Sequence, residues 1–367
     1  MTTDASAKEY NRIKIRLNIA DMVLSLVYIT ILAFSGLSPW LLQKISIYAA
    51  LPAVQFLLFV FAAGLVYSVV SIPMDFYAGY IIEHRYNLSN QTLTKWLWDK
   101  MKGFVVGLAI GVPILLAFFY FIQYTGENWW LYFSAVIFAF SVLLARLAPV
   151  VLFPIFYKFS PLENDNIRRP LLDLLDRHNI NFKGIYSFDM SKETKKANAG
   201  FTGLGKSKRI ILSDTLIENF TPSEITVIFA HELGHYKKRH IIKNIIISGV
   251  VIFALFYLCG QVYNYTWTAM GFTSASDIAA IPVLFFYLSI FSLLLMPATN
   301  AISRAYEREA DRFAIEVSSD TSSFISAMDK LAHINLADRN PHPFIEWFMY
   351  SHPSIQKRID FARNINT

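Results

Sequence analysis

Six stretches of the chain stay apolar over the roughly 20 residues needed to cross a bilayer core of about 30 Å. They run from about Leu17 to Leu37, Pro52 to Ile72, Gly103 to Tyr124, Trp129 to Val151, Ile245 to Tyr265 and Ala280 to Ala298. No small-residue cleavage site follows the first, so it reads as a span and not as a removable leader. Two polar segments remain, about 156–244 and 301–367. In the first, Ile167, Leu171, Leu172, Leu174 and Leu175 recur at helical spacing over Asn166–His178. Runs at Ile185–Phe188, Ala197–Thr202 and Arg209–Leu212 predict strands. Gly200, Gly203 and Gly205 punctuate the middle one and mark an edge or a bulge. The expected fold is an α-helical integral membrane protein with about six transmembrane helices. Residues 1–155 carry spans one to four, 156–244 a small sheet and a helix, 245–300 spans five and six, and 301–367 a helical tail packed on the earlier polar segment.

Composition agrees with this reading. Of 367 residues, 54% are apolar and 16% are charged, against about 25% charged in an ordinary soluble domain. That excludes a typical soluble protein and also a disordered one. The formal charge of +6 is not a nucleic-acid signal, because of where it lies. Lys8, Arg12, Lys14 and Arg16 precede the first span, and Arg85, Lys95, Lys100 and Lys102 lie between the second and third. Both polar segments are dense in Lys and Arg, whereas the remaining connections hold only Lys44. The positive-inside rule then places both termini and both polar segments in the cytoplasm. The single cysteine, Cys259, excludes an intrachain disulfide and a Cys-based zinc cluster.

The chemistry is announced by a helix start. Thr221 is the cap, Pro222 takes the first helical position and Glu224 completes a capping box. The helix runs into His231-Glu232-Leu233-Gly234-His235, an H-E-x-x-H pattern. Histidines four apart lie on one helix face and can chelate one ion, with Glu232 beside them as general base. Gly234 costs about 1 kcal/mol in a helix interior, and a close backbone approach would explain it. The metzincin extension needs Gly at 238 and His at 241, where this chain has Lys238 and Ile241. An intramembrane site-2 type protease needs an Asp-Gly pair, which the chain lacks. Catalytic zinc takes three protein ligands, and the third candidate lies in Ser303–Asp311. Glu307 and Asp311 share a helix face, and Glu309 points roughly the other way. If Glu307 binds the ion, Asp311 can hold a ligand histidine. The other histidines, His84, His178, His240, His333 and His342, have no partner at ligand spacing and read as structural, with His240 at the membrane surface.

At this point the chain resembles the type I CAAX prenyl endopeptidases, integral-membrane gluzincin proteases. The resemblance covers about residues 52–363. It rests on Ile82-Glu83-His84-Arg85, Asn90-Gln91-Thr92-Leu93, Asn198-Ala199-Gly200-Phe201, Arg209 to Leu216, and His231 to His235 followed by Lys243 to Ser248. Ser303-Arg304 with Glu307, Ala310 and Asp311, then Tyr350-Ser351-His352-Pro353 with Arg358, complete it. The resemblance implies a ring of membrane helices around a water-filled chamber and one Zn2+ per chain. It implies His231, His235 and Glu307 as ligands, Asp311 beside them, and Glu232 and His352 as catalytic groups. It also implies substrate contacts from Asn198, Ala199, Gly200 and Phe201 on an edge strand, and from Arg358 to a substrate carboxylate. The implied substrate is a peptide or protein, prenylated at its C-terminus, from which a tripeptide is removed. Eukaryotic members have seven spans, an acidic insertion before the zinc helix and a lysine-rich retrieval tail. Their absence here indicates a bacterial or archaeal cytoplasmic membrane in preference to the ER. Two other readings remain: a quality-control protease with no prenyl requirement, and a transporter with structural zinc. Arg146 and Asn300, in or near apolar spans, suit a pore and a protease chamber equally.

Overall fold

The computed structural model describes residues 3–180, 184–202 and 209–365. The first half is helical: α1 (Thr3–Phe34), α2 (Leu37–Ser46), α3 (Pro52–Phe76), a π turn leading into the short α4 (Ile82–Arg85), then α5 (Leu93–Tyr124) and α6 (Trp129–Leu147). A second π turn, holding Pro149, joins α6 to α7 (Phe153–Phe156). The middle segment is β1 (Phe159–Pro161), α8 (Asp165–Arg177), β2 (Ile185–Phe188), β3 (Ala199–Thr202), β4 (Arg209–Ser213), α9 (Asp214–Asn219) and α10 (Pro222–Lys237). Two long helices follow, α11 (His240–Ala269) and α12 (Ile281–Ser318), then α13 (Thr321–Ile334), α14 (Pro343–Met349) and α15 (Ile355–Ile365).

Among the described residues six helical stretches are long and apolar enough to cross a membrane. They close into a ring. Helix α1 packs on α3, α3 on α5, α5 on α6, α6 on α11, α11 on α12, and α12 back on α1. The faces of these helices differ. On α1, Val23, Val27 and Ile31 are exposed as lipid-facing residues should be, while Asn18, Asp21 and Ser25 line cavities of about 330 and 360 Å³ on the opposite face. On α12, Ser289, Ser292, Thr299 and Ser303 line one face. Four residues beyond Ser303, the same face presents Glu307. A further cavity of about 590 Å³ lies between α6, α11 and α12. At the ends of the helices remote from Glu307, Phe56, Phe118, Trp129, Phe133, Tyr263 and Ile281 belong to one buried hydrophobic cluster.

The polar segments form one unit, with a core from α8, the sheet, α10, α12, α13 and α15. Leu171, Ile210, Leu212, Ile225, Phe229, Leu233 and Phe324 are among its large, fully buried members. The sheet order is β1-β2-β4-β3. β2 and β4 run parallel, and β1 and β3 pair antiparallel on the outside. The expected edge strand is therefore β3, in register Ala199 to Leu212 and Phe201 to Ile210. Gly203 and Gly205 lie outside the described residues. β1 was not anticipated: three residues ending in proline carry no alternation to detect.

Candidate active site

Local chemistry fixes the start of α10. Thr221 Oγ1 accepts from the Glu224 amide, and Glu224 Oε2 accepts from the Thr221 amide at 2.8 Å. The buried Glu224 carboxylate also accepts from Ser326 Oγ and, at 2.7 Å, from Lys330 Nζ, which ties α10 to α13. Burial pushes this carboxyl up, but these hydrogen bonds outweigh it and hold Glu224 below the usual carboxylate range. One turn before its end α10 meets α12 at Gly234. A Cβ there would stand 3.0 Å from Ala310 Cα and 3.2 Å from both Ala310 O and Phe313 Cβ. The glycine is thus required by a backbone-to-backbone crossing.

That crossing brings three side chains together. His231 Nε2 lies 3.2 Å from His235 Nε2 and 3.3 Å from Glu307 Oε2. His235 Nε2 lies 3.2 Å from Glu307 Oε1. Among the described residues, the buried Glu307 Oε2 has no hydrogen-bond partner. Two imidazoles and a carboxylate, converging with one buried oxygen unsatisfied, can hold a metal ion.

The surrounding residues fall into place around this cluster. Asp311, 1% exposed, sets Oδ1 at 2.8 Å from His231 Nδ1. Arg358 grips Asp311 with two nitrogens, Nε to Oδ2 at 2.9 Å and Nη2 to Oδ1 at 2.5 Å, and its Nη2 is 3.3 Å from His231 Nδ1. This guanidinium is buried and paired with Asp311. Glu232 is partly exposed on α10. Its desolvation by the surrounding protein raises the carboxyl above its ordinary range, against the pull of His231 and His235. His352 Nε2 comes within 3.4 Å of Glu307 Oε1, while its side chain is 60% exposed. Its Nδ1 meets Ser351 Oγ at 2.9 Å. Asn198 exchanges hydrogen bonds with Ser213 just before β3. Ala199, Gly200 and Phe201 form β3, and a Cβ on Gly200 would meet nothing within 4 Å.

A model described as peptidase family M48 matches residues 161–366. The chain belongs to peptidase family M48. It is a membrane metallopeptidase, since a second model, described as the CAAX prenyl protease N-terminal region with five membrane helices, matches residues 2–158. Among the described residues of that stretch this M48 chain has four helical stretches of spanning length and the ten-residue α2. An uncharacterized metalloprotease, YhfN, of Bacillus subtilis is 31% identical over 98% of this chain and 85% of its own length. CAAX prenyl protease 1 of Saccharomyces cerevisiae is 30% identical over 80% of this chain and 68% of its own. The crystal structure of S. mikatae Ste24p superposes with a TM-score of 0.87 at 26% identity, covering 98% of this chain and 89% of that one.

Two features of this M48 site escaped the sequence. His240 is buried inside the protein. It is 2% exposed, with Nδ1 2.9 Å from His235 Nδ1 and Nε2 3.0 Å from Glu309 Oε2. Glu309 therefore also serves the cluster, although its spacing from Glu307 points it elsewhere. Arg304, 9% exposed, donates to the carbonyls of Glu346 and Tyr350. With Asn300, which donates to Phe348 O at 2.7 Å, it fastens α14 and the following His352 loop to α12.

Proposed function

We propose that the chain is a zinc endopeptidase that cleaves a peptide near the cytoplasmic membrane face and removes the C-terminal tripeptide of prenylated substrates. The convergence of His231, His235 and Glu307 carries this reading. A tetrahedral zinc with bonds of about 2.0–2.1 Å sets its ligand atoms about 3.3–3.4 Å apart, and the three separations here are 3.2, 3.3 and 3.2 Å. Zinc held there supplies Lewis-acid polarisation of the scissile carbonyl and activation of water. Glu232 accepts the proton of the attacking water and returns it to the leaving amine. His352, exposed beside Glu307, donates to the developing oxyanion. Asp311, held by Arg358, keeps His231 Nδ1–H occupied so that Nε2 faces the ion. The substrate adds as a strand along β3 at Asn198, Ala199, Gly200 and Phe201. The bare edge at Gly200 leaves room for it.

The charge distribution supports an arrangement with both termini and both polar segments in the cytoplasm. The Bacillus relative supports a prokaryotic cytoplasmic membrane. The relatives named CAAX prenyl protease support the prenylated substrate. We divide the chain as 1–155 and 245–300 for the membrane, and 156–244 and 301–367 for the protease portion. Purified Glu232→Gln should bind zinc at one per chain and lose at least a thousandfold in peptidase rate. Full activity in that variant would overturn the mechanism. Mass spectrometry of products from a farnesylated CAAX peptide and from an unmodified membrane-protein fragment tests the substrate. Cleavage indifferent to the prenyl group would replace this reading with membrane-protein quality control.

A further inference from the structure

His240 is a buried histidine that the proposed chemistry does not use. Its place is set by a turn. Helix α10 ends at Lys237, Arg239 adopts a left-handed φ of 56°, and α11 begins at His240. The reversal carries the ring back onto His235, five residues earlier. There it stacks on Tyr306, with ring centroids 4.3 Å apart and planes at 11°. Its Nδ1 faces His235 Nδ1 at 2.9 Å, and its Nε2 faces Glu309 Oε2 at 3.0 Å. Lys243 Nζ stands 3.6 Å from the same Glu309 oxygen.

We infer that His240 and Glu309 are positioning residues that fix the tautomer and the orientation of His235 as a metal ligand. The inference rests on the reading that His235 Nε2 holds zinc. A ligating nitrogen must offer its lone pair, so the His235 proton sits on Nδ1 and must be donated. The acceptor at 2.9 Å is His240 Nδ1, which therefore carries no proton. The His240 proton is then on Nε2 and is donated to the Glu309 carboxylate. Each ring is neutral, each donor meets an acceptor, and one arrangement of protons satisfies the whole chain. On the other side of the cluster Asp311 does the same for His231 directly. The two ligand histidines are thus held by two separate carboxylates of α12, one at first hand and one through an intervening ring. Outer partners of this kind are worth about 10–100-fold in metal affinity.

The test uses the full chain in detergent, stripped of metal and titrated with zinc against a chromophoric chelator. His240→Phe keeps an aromatic ring over Tyr306 and removes the acceptor. His240→Asn keeps a carbonyl oxygen close to the Nδ1 position. His240→Phe should weaken zinc binding at least tenfold and shift the visible bands of the cobalt-loaded protein. His240→Asn should recover most of that loss, and Glu309→Gln should weaken binding by a smaller factor. The melting temperatures of the stripped proteins should stay together. Wild-type zinc affinity in His240→Phe, or a loss that tracks the stripped melting temperature and is not recovered in His240→Asn, overturns the inference. Should His240→Phe not fold, Glu309→Gln decides: unchanged affinity overturns it. His235→Ala separates the two levels, because retention of zinc there would refute the ligand reading itself.

Discussion

Gly234→Ala is a one-carbon change whose effect follows from the crossing of α10 and α12. The added Cβ would lie 3.0 Å from Ala310 Cα, 3.2 Å from Ala310 O and 3.2 Å from Phe313 Cβ. Carbon atoms pack at about 3.5–4.0 Å, so the helices must part by roughly 0.5–1 Å at this point. Two of the three contacts are backbone atoms and cannot rotate away. Overpacking of this kind costs about 1–3 kcal/mol, and replacing a helical glycine by alanine returns about 1 kcal/mol. The net loss of fold stability is therefore small, between about 0 and 2 kcal/mol. The site is less tolerant. Gly234 adjoins His235, and Ala310 lies one turn beyond Glu307 on the same helix. Separation of the helices stretches the 3.2 Å gap between His235 Nε2 and Glu307 Oε1, where ligand distances must hold to about 0.2 Å. Gly234→Ala should therefore bind zinc at least tenfold more weakly, equivalent to about 1.4 kcal/mol, while melting within a few degrees of wild type. Chelator competition measures the first and thermal unfolding of the stripped protein the second. Wild-type zinc affinity together with a raised melting temperature would show that the crossing does not set the ligand spacing.

Other perturbations separate the roles of the buried groups. Glu307→Ala removes a ligand and should abolish stoichiometric zinc, read by metal analysis after desalting; full retention would refute the ligand set. Arg304→Met leaves the Glu346 and Tyr350 carbonyls without their charged donor, at a cost of about 1.5–3 kcal/mol. It should loosen the His352 loop, so turnover should fall at least tenfold with zinc content unchanged, and zinc loss would count against this assignment. Glu224 has a folded-state pKa below its ordinary value of 4.5. Its contribution to stability is therefore complete above that value and is lost as pH falls through the lower folded value. Melting temperature should fall over that acid range in wild type, and Glu224→Gln should lack this component; superimposable curves would refute it.

The start of α10 was readable because its signals are local. A cap, a proline and a glutamate within four residues specify where α10 begins, and the four-residue spacing puts both histidines on one face. Gly234 was readable as an anomaly whose cause lay on another helix. The spans were found but their helices run further. Hydropathy registers only the lipid-facing part, whereas α5 begins at Leu93 and α11 at His240, in polar sequence that continues the same hydrogen-bond ladder. Residue type alone did not reveal partners. Nothing in the sequence around Arg358 showed that the fold buries it against Asp311. His240 read as a surface histidine because nothing in the local sequence shows that a left-handed Arg239 turns it inward. The spacing of five between His235 and His240, across the break in the helix, is the signal that could have found it.

The arrangement of the site follows from the fact that its parts belong to the membrane helices themselves. Helix α12 is continuous for 38 residues, about 57 Å at 1.5 Å per residue. It carries, in order, Ile281 in the buried hydrophobic cluster, the polar face at Ser289 to Ser303, Arg304, which holds the His352 loop, Glu307 of the His-His-Glu cluster, and Glu309 and Asp311, which face His240 and His231. Helix α11 begins at the site with His240 and runs 30 residues back through the ring. Glu307 thus belongs to one spanning helix, and His240, which meets His235 and Glu309, opens its neighbour. The polar face of α12 leads along the ring cavities to Glu307 without leaving the helix. If the substrate pairs with β3 as proposed above, its scissile bond must reach a point set by these helices, and distance from the membrane becomes part of the specificity. Lengthening the peptide between a lipid anchor and the cleavage site should then lower the rate while leaving zinc binding untouched. A rate independent of that length would show that the site moves to meet its substrate.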